Sequence, residues 1–120
     1  MSSMASLKEA IEDLFNNRLL TAEEAVDRHF APTFRQRVNG SWIDRASFLA
    51  AIVSLRASVD RVEVTVLDEL SEGSRYAERH LIDLSKRDGK QLRQEVYVFA
   101  QRADDGRFGQ IEETTLALGA

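Results

Sequence analysis

The 120-residue chain contains no cysteine, which excludes a disulfide framework, a thiol nucleophile and a thiolate metal site. It has one proline, Pro32, and no Pro-, Gly- or Ser-rich tract that would mark a linker. The longest unbroken apolar run, Phe48 to Val53, falls far short of the ~20 residues a membrane helix needs. Residues 1–9 lack a basic stretch followed by an apolar core, so no secretory leader is expected and a cytoplasmic location is. Charge of one sign is also scarce. The 16 basic residues form no cluster against 20 acidic ones, so neither nucleic acid nor a membrane is expected as partner. The two histidines are not at metal-ligand spacing, and no Gly-rich phosphate loop or nucleophile elbow occurs. No metal and no cofactor are expected. What is present, 43% hydrophobic and 30% charged residues, suits one ordinary globular domain spanning 1–120.

The first half has helical spacing. Leu7, Ala10, Ile11, Leu14 and Phe15 recur on one helical face, and Ser6 with Glu9 makes a capping box before them. Thr21 with Glu24 opens a second helix that Pro32 stops. Residues 33–39 read as extended up to an Asn39-Gly40 turn, and Asp44 caps a third helix with Phe48, Ala51, Ile52 and Leu55 inward. His29, at the end of the second helix, suits the helix dipole when charged.

From Arg61 the period changes to two. Turns at Glu72-Gly73, Asp88-Gly89 and Asp105-Gly106 separate four long strands near 61–71, 75–87, 90–102 and 107–118. Their length predicts strong twist and bulges. The fold class is therefore α+β, with three N-terminal helices on one face of an antiparallel sheet of four long strands plus a short one.

Turn lengths predict which residues share a face. Two-residue loops at 72–73 and 88–89 set Val66 opposite Arg79, Leu81 opposite Val96, and Arg79 opposite Val98. A four-residue loop at 103–106 sets Val96 opposite Glu113 and Val98 opposite Ile111. One face then collects Val62, Val64, Val66, Leu81, Val96, Val98 and Ile111, with Arg79 and Glu113 set into it. Charges there are costly without partners. Two readings stand: a structural ion pair, or the wall of a pocket in which Arg79 holds an oxyanion and Glu113 acts as acid or base. Trp42, just before the third helix, either fills the core or lines the pocket mouth. The opposite face gathers Tyr76, His80, Tyr97 and Phe99 among polar groups, the composition of a homodimer surface or of a solvated face with stray aromatics. His80 is placed there as an interface residue.

Several short motifs resemble those of the nuclear transport factor 2-like superfamily, especially its SnoaL-like branch. They are His-Phe-Ala-Pro-Thr-Phe (29–34), Val-Asn-Gly (38–40), Asp-Arg-Ala-Ser-Phe-Leu (44–49), Ala-Glu-Arg (77–79) and Asp-Gly-Arg-Phe (105–108) leading to Ile-Glu-Glu (111–113). The resemblance implies a cone-shaped fold, a curved sheet wrapped around a helix with an open-ended pocket, and commonly a dimer through the outer sheet face. Members include isomerases, polyketide cyclases, an epoxide hydrolase and dehydratases. Glu113 stands where the cyclase-like pattern has its acid–base residue. Leu81 stands where the epoxide hydrolase-like pattern has a second carboxylate, and Leu14 and Phe15 where the isomerase-like pattern has a tyrosine.

The expected function is binding of a small apolar ligand, with or without cofactor-free isomerisation, cyclisation or dehydration of a hydrophobic carbonyl compound. The alternative is a non-catalytic dimeric module. A cavity of ~300 Å³ or more favours the first, and a dry, filled cone with Arg79 paired to Glu113 favours the second.

Overall fold

The three helices form where capping side chains and apolar spacing coincide, in a computed structural model that describes residues 5–119. The reading of residues 1–9 as leader-free rests partly on residues 1–4, which lie outside the described residues. Helix α1 (Leu7–Phe15) begins at Ser6, whose side chain accepts from the Glu9 amide. Helix α2 (Ala22–His29) has the full reciprocal box between Thr21 and Glu24. Helix α3 (Arg45–Ser58) starts at Asp44, which accepts from the Ser47 amide. None of the described helices is long and apolar enough to cross a membrane.

Six strands make one sheet in the order β2-β1-β6-β5-β4-β3. Strand β1 (Phe30–Val38) follows α2 directly and turns at Asn39 and Gly40, both with positive φ, into the short β2 (Ser41–Asp44). The sequence reading has one short strand here, and β2 is the addition. Pro32 sits inside β1 rather than between elements, in the stretch where the β1–β6 register shifts and a missing amide is tolerated. The long strands β3 (Val59–Glu72), β4 (Arg75–Lys86), β5 (Gln91–Arg102) and β6 (Phe108–Leu118) fall close to their predicted bounds. The helices lie on the inner face of the curved, unclosed sheet. Phe30, Phe34, Phe48 and Phe108 pack there with ring centroids 4.7–6.0 Å apart around Phe30.

The register departs from expectation at all three hairpins. The first loop is Gly73-Ser74 rather than Glu72-Gly73, a two-residue change in pairing that keeps the facing, and two further, single-residue changes act on β4. Near the hairpin tip Asp68 pairs with Arg79, but a bulge between Val66 and Asp68 inserts one residue, so Val66 pairs with His80 and Val64 with Ile82. At the next hairpin Ser85 pairs with Gln91 and the Lys86 amide bonds to Lys90, which makes the loop three residues long (87–89) with Gly89 at φ +91°. Each of these two changes is one residue, and a one-residue slip exchanges the faces of a strand. Strand β4 therefore turns Tyr76, Glu78, His80, Ile82 and Leu84 inward. Arg79 and Leu81 go outward, against the expectation. At the third hairpin a three-residue loop and a bulge at Gly109 add two single-residue shifts. Two shifts cancel in facing, so β5 and β6 keep their predicted faces while Val98 comes to lie opposite Glu113 instead of Ile111.

Candidate functional site

A cavity of about 240 Å³ lies between α1, α3 and the inner face of the sheet. Its walls are mostly apolar: Leu14 and Phe15 from α1, Leu55 from α3, and Val96, Val98 and Ile111 from the sheet. Leu55 is 38% exposed although the helical spacing places it inward, because it stands where the cavity meets solvent beside α3. The volume is below the ~300 Å³ expected for a drug-sized ligand, but a cavity of roughly 150 Å³ already holds a benzene ring. Four polar side chains reach this space: Gln36 from β1, His80 from β4, Gln94 from β5 and Glu113 from β6.

His80 is 2% exposed, and its Nδ1 lies 2.5 Å from Glu78 Oε2. An ionised carboxylate can only accept, so the ring donates from Nδ1 and Nε2 is left as the nitrogen free of protein partners. The Glu78 side chain is fully buried. Its other oxygen accepts from the Tyr76 hydroxyl at 2.5 Å. Burial and the flanking carboxylates hold the Tyr76 phenol far above its ordinary pKa, so it remains a donor. The result is a fixed imidazole, oriented by a carboxylate, in the wall of an apolar cavity.

Glu113 is the second titratable group. Gln36 Nε2 donates to its Oε1 at 2.5 Å, which leaves Oε2 for a ligand. Burial raises the Glu113 pKa above the ordinary 4.5, while the Gln36 hydrogen bond and a charged His80 draw it back. Its neutral, proton-donating form is thus favoured more than in an exposed glutamate. In the sheet Glu113, Val98 and Glu78 form one cross-strand row, and His80, Val96 and Thr115 form the next. The acid and the imidazole are therefore two strands apart on a concave face.

The predicted site residues divide between two spaces, since Arg79, Val98 and Glu113 also border an open depression of about 590 Å³. Glu113, Val96, Val98 and Ile111 line the cavity. Val64 is buried in the core and Val66 is half-buried on the inner face, but neither lines it. Arg79 lies on the outer face, 39% exposed, 3.4 Å from Glu95 and 3.7 Å from Asp68, so no Arg79–Glu113 pair exists. Leu81 shares that outer face by alternation. Trp42 pairs with Arg37 on the outer side of β2, 43% exposed, with the Arg35 guanidinium 4.3 Å from its ring. Tyr76 and His80, expected on a dimer face, are buried within the chain, whereas Tyr97 and Phe99 remain exposed on the outer face.

The sequence reading therefore missed His80, Gln36 and Gln94 as cavity-facing groups, and Glu78 as the carboxylate behind His80. A signal for β4 was present. Residues 76, 78, 80, 82 and 84 carry Tyr, Ile and Leu, whereas 75, 77, 79, 81 and 83 carry two arginines and an aspartate. Among the described residues no cluster of three or more His, Asp or Glu could hold a metal ion.

No protein-family model matches the chain, and neither does any curated protein sequence. Solved structures do. A candidate isomerase from Rhodopseudomonas palustris superposes with a TM-score of 0.72 at 12% identity, covering 88% of this chain and 82% of its own. A candidate SnoaL-like polyketide cyclase from Jannaschia sp. CCS1 gives 0.64 at 15% identity, over 96% and 91%. A nuclear transport factor 2-like protein of unknown function from Exiguobacterium sp. 255-15 gives 0.68 at 12% identity, over 96% and 100%. At such identities the likeness is one of fold. The fold is the nuclear transport factor 2-like cone, shared with SnoaL-like proteins.

Proposed function

We propose that the cavity binds a small, mainly apolar carbonyl compound and that His80 and Glu113 move protons on it without a cofactor. The observation that carries this reading is the buried Glu78–His80 pair, with the free imidazole nitrogen on a ring that lines an apolar cavity. A carboxylate that fixes the tautomer of a histidine is the arrangement general-base chemistry requires. Neutral His80 takes a proton from the carbon next to the carbonyl. The C–H electron pair becomes the C=C bond of an enol, and the carbonyl π pair moves onto oxygen. Glu113, favoured in its acid form by burial, donates to that oxygen. In a β,γ-unsaturated ketone His80 returns its proton to the γ carbon while Glu113 takes back the enol proton and the carbonyl re-forms, which isomerises the compound. In a β-hydroxy ketone His80 gives that proton to the β-hydroxyl, which leaves as water. Glu113 takes back the enol proton, the carbonyl re-forms and the C=C bond moves to the α,β position. Candidate isomerase and cyclase assignments among the structural neighbours suit this class.

The test is deuterium exchange of cyclohexanone and cyclohexenone in D2O, followed by NMR. Exchange above the buffer rate that His80→Gln abolishes and Glu113→Gln reduces by ~100-fold or more supports the reading. Binding without exchange leaves a binding protein, and neither binding nor exchange across apolar ketones overturns the reading.

The outer face favours a second role that is compatible with the first. Tyr97, Phe99 and Leu116 are 48%, 60% and 54% exposed on neighbouring strands, a patch of the kind that homodimers cover. A homodimer through this face is part of the proposal, with Tyr97 and Phe99 at its centre. Sedimentation as a monomer at micromolar concentration contradicts it.

A further inference from the structure

We infer that Tyr76 and Glu69 are positioning residues for the Glu78–His80 pair, with the Tyr76 hydroxyl coupling the exposed Glu69 carboxylate to the buried histidine. The inference rests on the proposed role of His80 as the cavity base. Four groups stand in one hydrogen-bonded line. Glu69 Oε2 is 2.9 Å from the Tyr76 hydroxyl, that hydroxyl is 2.5 Å from Glu78 Oε1, and Glu78 Oε2 is 2.5 Å from His80 Nδ1. Glu69 lies on the exposed part of β3, whereas Tyr76, Glu78 and His80 are 5%, 4% and 2% exposed. The line therefore runs from solvent to the cavity wall.

Its chemistry is set by scarcity. A phenol has one hydrogen, and two carboxylates compete for it. When Tyr76 donates to Glu78, part of that carboxylate's charge is satisfied and it holds the His80 N–H less strongly. When Tyr76 turns to Glu69, Glu78 loses its donor and holds His80 more strongly. Whatever changes Glu69 as an acceptor thus reaches His80 through the hydroxyl. The other groups around the line are fixed. Arg102 from β5 places its guanidinium 5.5 Å from the Tyr76 ring, while bonding through its nitrogens to the Gly106 and Ala5 carbonyls. Phe108 from β6 packs against that ring at 6.2 Å. Glu113 bonds to Gln36 and joins no part of the line.

The experiment follows the His80 Hδ1 proton by NMR, because this resonance moves downfield as its hydrogen bond strengthens. Tyr76→Phe removes the donor and moves it downfield. Glu69→Gln offers the hydroxyl a weaker acceptor, commits its hydrogen to Glu78 and moves the resonance upfield. Asp68→Asn removes a like charge one residue away without touching Tyr76, and it leaves the resonance in place. In the Tyr76→Phe background Glu69→Gln has no further effect. Glu69→Gln lies on the surface and leaves folding intact, so its upfield shift against the Asp68→Asn control is required even where Tyr76→Phe fails to fold. No shift in Glu69→Gln, or an equal shift in Asp68→Asn, overturns the coupling. Ketone exchange measured on the same samples separates this outcome from the proposed reaction: the resonance obeys the pattern whether or not exchange occurs.

Discussion

The two faces of β4 carry similar numbers of charged groups and treat them in opposite ways. Inside, Glu78 and His80 meet at 2.5 Å with almost no solvent, and Tyr76 completes the set. Outside, Arg79 meets Glu95 and Asp68 at 3.4 and 3.7 Å, with Asp68 open to water, Arg79 partly so and Glu95 half-buried. Water screens the outer pairs, so little depends on their geometry. On the inner face little solvent remains, and each polar atom that the cavity does not reach depends on its protein partner. Among the described residues no buried side-chain nitrogen or oxygen is left without a hydrogen bond. On the proposed reading, the chemistry belongs to the dry side beside the cavity, and association belongs to the outer side.

The largest expected effect breaks the inner set. Glu78→Ala leaves Tyr76 and His80 without their shared acceptor, and denaturant unfolding is expected to show a loss of about 3–5 kcal/mol, the cost of breaking a buried pair from one side. A loss no greater than that of an outer substitution removes the contrast. Next, Phe99→Asp puts a charge at the centre of the exposed outer patch. Sedimentation is expected to shift from dimer to monomer, with the far-ultraviolet circular dichroism unchanged.

The third prediction concerns pH. The folded-state pKa of Glu113 is raised above the 4.5 of the unfolded chain, so unfolding favours ionisation. Below 4.5 the group is protonated in both states and has no effect. As pH rises through the folded-state value the native state loses stability from this group, and above it the loss is constant. Glu113→Gln removes that dependence. Its stability relative to the natural chain is expected to grow as pH rises from about 4.5 and then level off, as measured by unfolding at several pH values. A flat difference contradicts the burial of Glu113. The smallest effect is Arg79→Ala, expected to change stability by less than about 1 kcal/mol because its partners are screened by solvent.

The helices were legible because their signals are local. Ser6, Thr21 and Asp44 each accept from an amide three residues on, which the sequence shows directly. Strand bounds were legible too, since period-two runs end at glycine turns. Facing was not. A bulge beside Leu67 and a third loop residue before Lys90 each cost one position, and neither changes the local composition that marks a turn. Strand β4 carried only a weak internal check, because Ala77 and Leu81 make one face acceptable as core while Tyr76, Ile82 and Leu84 make the other better. Val96, Val98 and Glu113 were placed inward because the two shifts at the β5–β6 hairpin cancel. The acid of the proposed site was therefore visible in the sequence, and its histidine was hidden on the wrong side of one strand.

Titration of the isotope-labelled protein with cyclohexenone, followed through side-chain NMR signals, tests the central claim most directly. The account predicts saturable shifts at His80, Glu113 and Gln36, with Arg79, Tyr97 and Trp42 unmoved. Shifts confined to Arg79, Tyr97 and Trp42, or none at His80 and Glu113 with any small apolar ketone, contradict it.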